Sequence, residues 1–228
     1  MRRYRTSAIV LKRTNFGEAD RIVTFITEQQ GLVSALVKSA RKQGNKLAGG
    51  IELFSICDIT FLEGKGELDH VISSRLEAHF QHIVSDYSRI EIGYEAVKQV
   101  ARAARQFSEP GLYTLLKDTL SALDDTDLPV PLSEAWFRLN LLALLGQQPN
   151  LTHDAKNKKL AGDTNYTLLP DDGAFMPDER GTITPAHIKA WRVLLTTSAA
   201  RAAAITGVPA AIEESLPTLR HLFEYQFS

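Results

Sequence analysis

Cysteine is nearly absent from this chain, with one in 228 residues, and that scarcity excludes several classes of protein. A lone Cys57 can build neither a disulfide framework nor a multi-cysteine metal site, and it is what a reducing cytosol permits. It lies in the apolar run LFSICDITF, where a buried core thiol is the expected reading. Long apolar runs are missing too. No stretch of about 18 apolar residues exists to cross a bilayer, and the opening MRRYRTSAIVLKR lacks the apolar core of a signal peptide. A soluble, cytoplasmic protein is expected.

Signatures of catalysis are equally scarce. Gly44 and Gly49 suggest a phosphate-binding loop, but Gly50-Ile51 stands where that loop needs Lys and a hydroxyl residue. No G-x-S-x-G elbow occurs. Of His70, His79, His82, His153, His187 and His221, only His79 and His82 have helical ligand spacing, and they lack a third ligand nearby. Asp124-Asp125, Asp171-Asp172 and Asp178-Glu179 fall in turn-like contexts, where such residues cap backbone amides or face solvent. The expectation is a protein that is not an enzyme and carries no cofactor or metal.

What the sequence does have is segregated charge. The first fifty residues carry ten Lys and Arg against three acids, in a chain whose net charge is −1. A protein that is neutral overall grips a polyanion by gathering its cations on one surface, which releases the counterions condensed on nucleic acid. Lys38, Arg41, Lys42 and Lys46 lie within nine residues, in and beside a Gly-containing loop with no acid. That cluster either contacts phosphates or solubilises the loop.

The pattern changes near residue 76. Before it, short runs rich in Val, Ile, Thr and Phe predict five strands, at Ser7 to Arg13, Arg21 to Thr27, Leu32 to Ser39, Ile51 to Leu62 and Glu67 to Glu77. Five short strands in so few residues close into a small barrel more readily than they form an open sheet, because closure removes edges. After it the spacing is helical. Ile90, Tyr94, Val97, Ala101 and Ala104 recur at three and four positions and predict one helix face. Further helices are expected after Pro110, from an N-cap at Ser133 to Gly146, and across TPAHIKAWRVLLTTSAARAAAI and AAIEESLPTLRHLFEYQF. Residues 147–184 read as an irregular insert. The fold class is α+β with two domains, a five-stranded β-barrel over 1–78 and a mostly α-helical domain over 79–228.

A small barrel offers a sheet face, a rim for basic loops and a surface on which an aromatic can stack on a base. Phe16 and Tyr4 are the candidate aromatics; Phe16, before Gly17, reads either as a stacking residue or as a plug under a turn.

These residues carry a resemblance. The run GEADRIVTFITEQQGLVSALVKSARK, preceded by AIVLKRTNF and followed by LAGGIELFS, resembles the amino-terminal domain of the RecO family of recombination mediators. The matching elements are Val10-Leu11, Gly17-Glu18, Arg21, Thr27-Glu28, Gly31, Lys38-Ser39-Ala40-Arg41 and Leu53-Phe54, with Ser39 where the family usually has Gly and Leu53 where it has Pro. WFRLNLLALLGQQPNLTH continues the similarity more weakly. The resemblance implies an OB-fold followed by a helical domain. It also implies binding of single- and double-stranded DNA, strand annealing, and recombinase (RecA) loading with RecR onto DNA coated by single-strand-binding protein, in the nucleoid. Arg13, Arg21, Lys38, Arg41, Lys42 and Lys46 are then the expected DNA contacts. For the acidic, hydrophobic C-terminal tail of single-strand-binding protein, the expected groups are Phe137, Arg138 and Leu141, with Lys189 and Arg192 as alternative carboxylate partners; for at least two of Phe137, Leu141 and Leu144 core is the stronger reading. Many members of the family hold a four-cysteine zinc element in the insert. This insert has no cysteine, so it resembles the zinc-free branch and must fold by packing Leu151, Tyr166, Leu168 and Phe175. A generic OB-fold RNA-binding or translation-associated module is the alternative reading.

Overall fold

Period-two patterning closes the sheet. In the computed structural model, which describes residues 2–42, 51–107 and 109–227, five strands run β1 Arg3–Phe16, β2 Asp20–Thr27, β3 Gly31–Val37, β4 Ser55–Leu62 and β5 Asp69–His79. They form a closed barrel in the order β1-β2-β3-β5-β4. All pairings are antiparallel except the short parallel contact of Ala35 and Leu36 with Asp69 and His70. Alternate residues fill the interior: Ala8 and Val10, Val23 and Phe25, Val33, Ala35 and Val37, then Cys57, Ile59 and Phe61. Cys57 is the expected core thiol, and burial pushes its pKa up. The fourth strand begins at Ser55 rather than Ile51, since residues 51–54 approach it irregularly and Phe54 takes a positive φ of 56°.

The chain divides into two compact units, Met1–Asp124 and Asp125–Ser228. The first joins the barrel to α1 Gln81–Ser85, α2 Tyr87–Gln106 and α3 Gly111–Asp124. Asp86 caps α2 by accepting the Arg89 amide at 3.1 Å. The buried face of α2 is Ile92, Gly93, Ala96, Val97, Val100 and Ala103, so of the five residues expected on that face only Val97 is buried. Tyr94 is half exposed. Small residues at 93 and 96 let the helix approach closely, and this selects a face one position away from the one that apolar spacing alone predicts.

The second unit holds α4 Val130–Leu144, α5 Pro185–Thr196, α6 Ala199–Ala203, α7 Val208–Gln226 and a hairpin of β6 Tyr166–Leu169 with β7 Ala174–Pro177. Its first helix starts earlier than expected: Pro129 is the N-cap, and Ser133 is buried inside the helix. Pro at the first turn satisfies the helix start without a hydroxyl cap. The expected helix from residue 184 breaks after Thr196, and Ser198 caps α6. Within the insert, Leu151, Tyr166, Leu168 and Phe175 are all buried. The rings of Tyr166 and Phe175 meet edge to face at 6.2 Å, and Phe175 lies the same distance from Trp191. Tyr166 exchanges backbone hydrogen bonds with Ile183, and a Cβ at Gly181 would come within 2.3 Å of the Tyr166 carbonyl carbon, so only glycine fits there. Among the described residues no helix is long and apolar enough to cross a membrane.

Candidate nucleic-acid interface

Backbone pairing brings the end of β1, the start of β2 and the end of β3 together at one end of the barrel. Phe16 pairs with Asp20, and Arg21 with Val37. Gly17 makes the tight β1–β2 turn with a φ of +56°. The basic segment after β3 is tied onto this turn: the Arg41 amide donates to the Ala19 carbonyl at 2.9 Å, the Ser39 amide to Asp20 Oδ1 at 2.7 Å, and the Lys42 amide to the Ser39 carbonyl at 3.0 Å. Ser39, where the resemblance expects glycine, adopts the left-handed conformation that glycine favours, with φ 55°. Four of the expected contacts, Arg21, Lys38, Arg41 and Lys42, are thereby gathered around the barrel mouth, with the ring of Phe16 52% exposed beside them. That exposure fits stacking and not a plug under the turn. Lys46 lies outside the described residues.

The cations at the mouth are not equivalent. Arg13 is ion-paired to Glu52, so its charge is largely neutralised before any polyanion arrives. Arg21 Nε lies 3.4 Å from Asn15 Oδ1, and an Arg41 guanidinium nitrogen lies 3.5 Å from the Gly17 carbonyl, both contacts with neutral groups that leave the charge uncompensated. Tyr4, the other candidate aromatic, stacks on Phe61 at 5.2 Å and donates its hydroxyl to Asp69, so its ring belongs to the packing of the barrel. Burial, followed by that carboxylate, pushes the Tyr4 pKa up.

A bulge explains a residue that the sequence does not single out. Between Val10 and Lys12 the β1–β2 register shifts, so Lys12 pairs with Thr24 and Arg13 with the interior residue Val23. Strict alternation would have placed Arg13 outside; the inserted Leu11 reverses the two faces. Lys12 then lies on the outer surface with Thr14 and Phe16. It lines a groove of about 280 Å³ against α2, opposite Lys98 and Arg105.

The residues expected to hold a partner peptide separate differently. Phe137 and Leu141 are fully buried core. Arg138 is only 7% exposed, and its guanidinium bonds Glu134 at 2.8 Å and covers the Phe223 ring at 4.7 Å, so it is not at a rim. A carboxylate four residues earlier on the same helix captures it. Glu134 also accepts from Arg220 at 2.6 and 2.8 Å. Burial pushes Glu134 up, but the Arg220 hydrogen bond and the two guanidinium charges outweigh it and hold the carboxyl below its ordinary value. Arg192 donates to the Leu151 carbonyl, 2.8 Å from Nε, fastening the insert to α5. Lys189 is exposed on α5.

Two of the histidines are held in the hydrogen-bond framework of the fold. His82 contacts the Asp124 carbonyl at 3.0 Å, and the buried His187 completes the cap of α5 with Thr184 and bonds Glu214 at 3.0 Å. Among the described residues no group of three or more His, Cys, Asp or Glu side chains could hold a metal ion.

Comparison with known proteins matches two family models along the chain. The family model described as Recombination protein O N terminal matches residues 1–80, and Recombination protein O C terminal matches residues 103–228. A DNA repair protein RecO from Dehalococcoides mccartyi is 32% identical over 195 residues, covering 84% of this chain and 76% of that protein. The Roseiflexus protein of the same name is 32% identical over 196 residues, covering 84% and 68%, and the one from Desulfatibacillum aliphaticivorans 34% identical over 149 residues, covering 64% and 58%. With both family models matched along a barrel and a helical unit, the chain belongs to the RecO family of DNA repair proteins.

Proposed function

We propose that this protein is a recombination mediator without enzymatic activity, which binds single- and double-stranded DNA through the barrel domain of residues 1–78 and promotes annealing of complementary strands. The observation that carries the reading is the tethering of Arg41 to Ala19 and of Ser39 to Asp20, which holds Lys38, Arg41 and Lys42 beside Arg21 and the exposed Phe16. Cations at that end can track a phosphate backbone while Phe16 offers a π-face to a base. Binding of this kind is sequence-tolerant, as repair of arbitrary DNA requires.

The helical domain of residues 79–228 then serves partners. In this reading it captures the C-terminal tail of single-strand-binding protein, and with RecR it lets the recombinase RecA load onto coated DNA in the nucleoid of the cytoplasm. No nucleotide hydrolysis and no cofactor enter the mechanism; binding and exchange suffice. Support comes from membership of the RecO family together with the exposed Lys189 on α5, which a terminal carboxylate can pair. The test is annealing of complementary oligonucleotides coated with single-strand-binding protein, beside RNA strands of the same sequence. Accelerated annealing of coated DNA, with weaker action on RNA, is expected. Equal or stronger binding to RNA with no annealing of coated DNA would favour a generic RNA-binding barrel instead.

A further inference from the structure

The groove between the β1–β2 surface and α2 has no part in the mouth of the barrel, yet its chemistry is of the same kind. Lys12 and Thr24 form one wall; Tyr94, Lys98, Ala101 and Arg105 form the other. On α2 the four positions 94, 98, 101 and 105 follow the spacing of one helical stripe, so three cations and one aromatic converge on a cleft lined by no acid. Among the described residues the carboxylate ion-paired to these cations is that of Glu95, whose Oε2 lies 3.9 Å from Lys98 Nζ; on its other side Arg105 also lines a separate pocket with Glu28 and Glu109. Lys98 is 76% exposed, and so exposed a pair a few residues apart on a helix is weak and easily exchanged for a phosphate. Neither Lys12 nor Arg105 is ion-paired with another described residue. Tyr94 packs edge-on against Phe54 at 5.1 Å while half of it faces solvent.

The outer sheet connects this groove to the mouth. Along β1 the outward residues after the bulge are Lys12, Thr14 and Phe16, and their neighbours on β2 include Thr24 and Ile22. Thr24 and Ile22 in turn pair with Ser34 and Leu36 of β3. Phe16 itself pairs with Asp20, whose carboxylate is held by the Ser39 amide; between Phe16 and Lys12 the outward side chains are hydroxyl and aliphatic, with no acid among them.

We infer that the Lys12, Lys98 and Arg105 groove is a second phosphate-binding subsite for single-stranded nucleic acid, so that a strand engaged at the mouth crosses the outer face of β1 and β2 and ends between the barrel and α2, with Tyr94 as a stacking surface. This rests on the DNA-binding reading of the mouth and extends it. Single-strand sites of this kind combine a cationic groove with aromatic platforms, and a duplex is too wide to follow the strand into a groove of about 280 Å³.

The test is fluorescence anisotropy of labelled oligo-dT of about twenty nucleotides, titrated at three salt concentrations with the full chain, with Lys98→Gln/Arg105→Gln and with Arg41→Glu/Lys42→Glu. Both substituted positions in the groove variant are on the solvent side of α2, and circular dichroism checks that it is folded; Lys12→Gln supplies the same test from the opposite wall. The groove variant should lose about tenfold in affinity and about two units of salt slope on oligo-dT, with a smaller loss on duplex. Unchanged affinity and slope for both groove variants, while the mouth variant loses binding, would overturn the subsite and leave the DNA-binding reading intact. Failure of the wild-type chain to bind oligo-dT at low salt would overturn both. An acidic peptide that needs Lys98 and Arg105, with oligo-dT binding unaffected by their loss, would reassign the groove to a protein partner and likewise overturn the inference.

Discussion

Lys12 and Arg13 are adjacent in the chain, yet they take opposite sides of β1, the first beside Thr24 on the outer face and the second level with the interior residue Val23 and ion-paired to Glu52. Because Arg13 already has a carboxylate partner, its guanidinium is engaged away from phosphate, so removing it takes away one positive charge but no direct phosphate contact. Arg13→Ala should therefore weaken binding of a labelled duplex by no more than about threefold, whereas Arg41→Ala should cost about tenfold at moderate salt. Equal losses in side-by-side titrations would mean that Glu52 gives up Arg13 when DNA binds.

The pairing also shows how far a sequence can be read. Five strands, the helical remainder and the packing of Leu151, Tyr166, Leu168 and Phe175 are legible because alternation, turn residues and burial of large apolar groups are local signals. The gathering of Arg21, Lys38, Arg41 and Lys42 follows from the basic cluster, but its cause, the Arg41 to Ala19 and Ser39 to Asp20 hydrogen bonds, joins residues about twenty apart and leaves no periodic trace. Lys12 is unmarked in the sequence because a one-residue bulge reverses side-chain direction without altering composition. Arg138 reads as a rim residue until the fold brings Glu134, one turn away, and Arg220, far along the chain, together with it.

That buried cluster makes a stability prediction. Replacing Glu134 with Gln leaves Arg138 without its carboxylate inside the second unit, and breaking such a pair costs about 3 kcal/mol or more. The sign with pH follows from a carboxyl whose folded pKa lies below its unfolded value of about 4.3: its contribution is full above that value and is lost as pH falls through the folded pKa. Urea midpoints should thus differ most between wild type and Glu134→Gln at pH 7 and converge as the pH is lowered below about 4. A constant gap across that range would show that packing, not charge, sets the difference.

The insert should need no metal. Its aromatic contacts of Phe175 with Tyr166 and Trp191 replace what a zinc element supplies elsewhere, so elemental analysis should find far less than one zinc per chain and a chelator should leave thermal unfolding unchanged. Phe175→Ala should destabilise by about 3 to 5 kcal/mol, as for other large side chains removed from a core. Stoichiometric zinc would overturn the packing account.

The proposed capture of the tail of single-strand-binding protein makes a prediction on the second unit. Arg138 is buried and committed to Glu134, and Arg192, though exposed, donates to the Leu151 carbonyl, which leaves Lys189 as the exposed cation of the three whose charged end is not engaged in this way. By anisotropy with a labelled tail peptide, Lys189→Ala should lose about tenfold, near 1.4 kcal/mol, with duplex binding unchanged. A folded Lys189→Ala protein that binds the tail at full affinity would move the site elsewhere.

The most direct measurement of the whole account is the salt dependence of DNA binding by the wild-type chain and by Arg41→Glu/Lys42→Glu. Both residues sit on the turn held against Ala19 and Asp20, and removing one phosphate-binding cation should lower the slope of log affinity against log salt by about one unit. The wild type should show steep salt dependence, the variant a slope reduced by about two, and the weakening should be the same for every DNA sequence tested. An unchanged slope in a folded variant would contradict it and place the DNA on another surface of the protein.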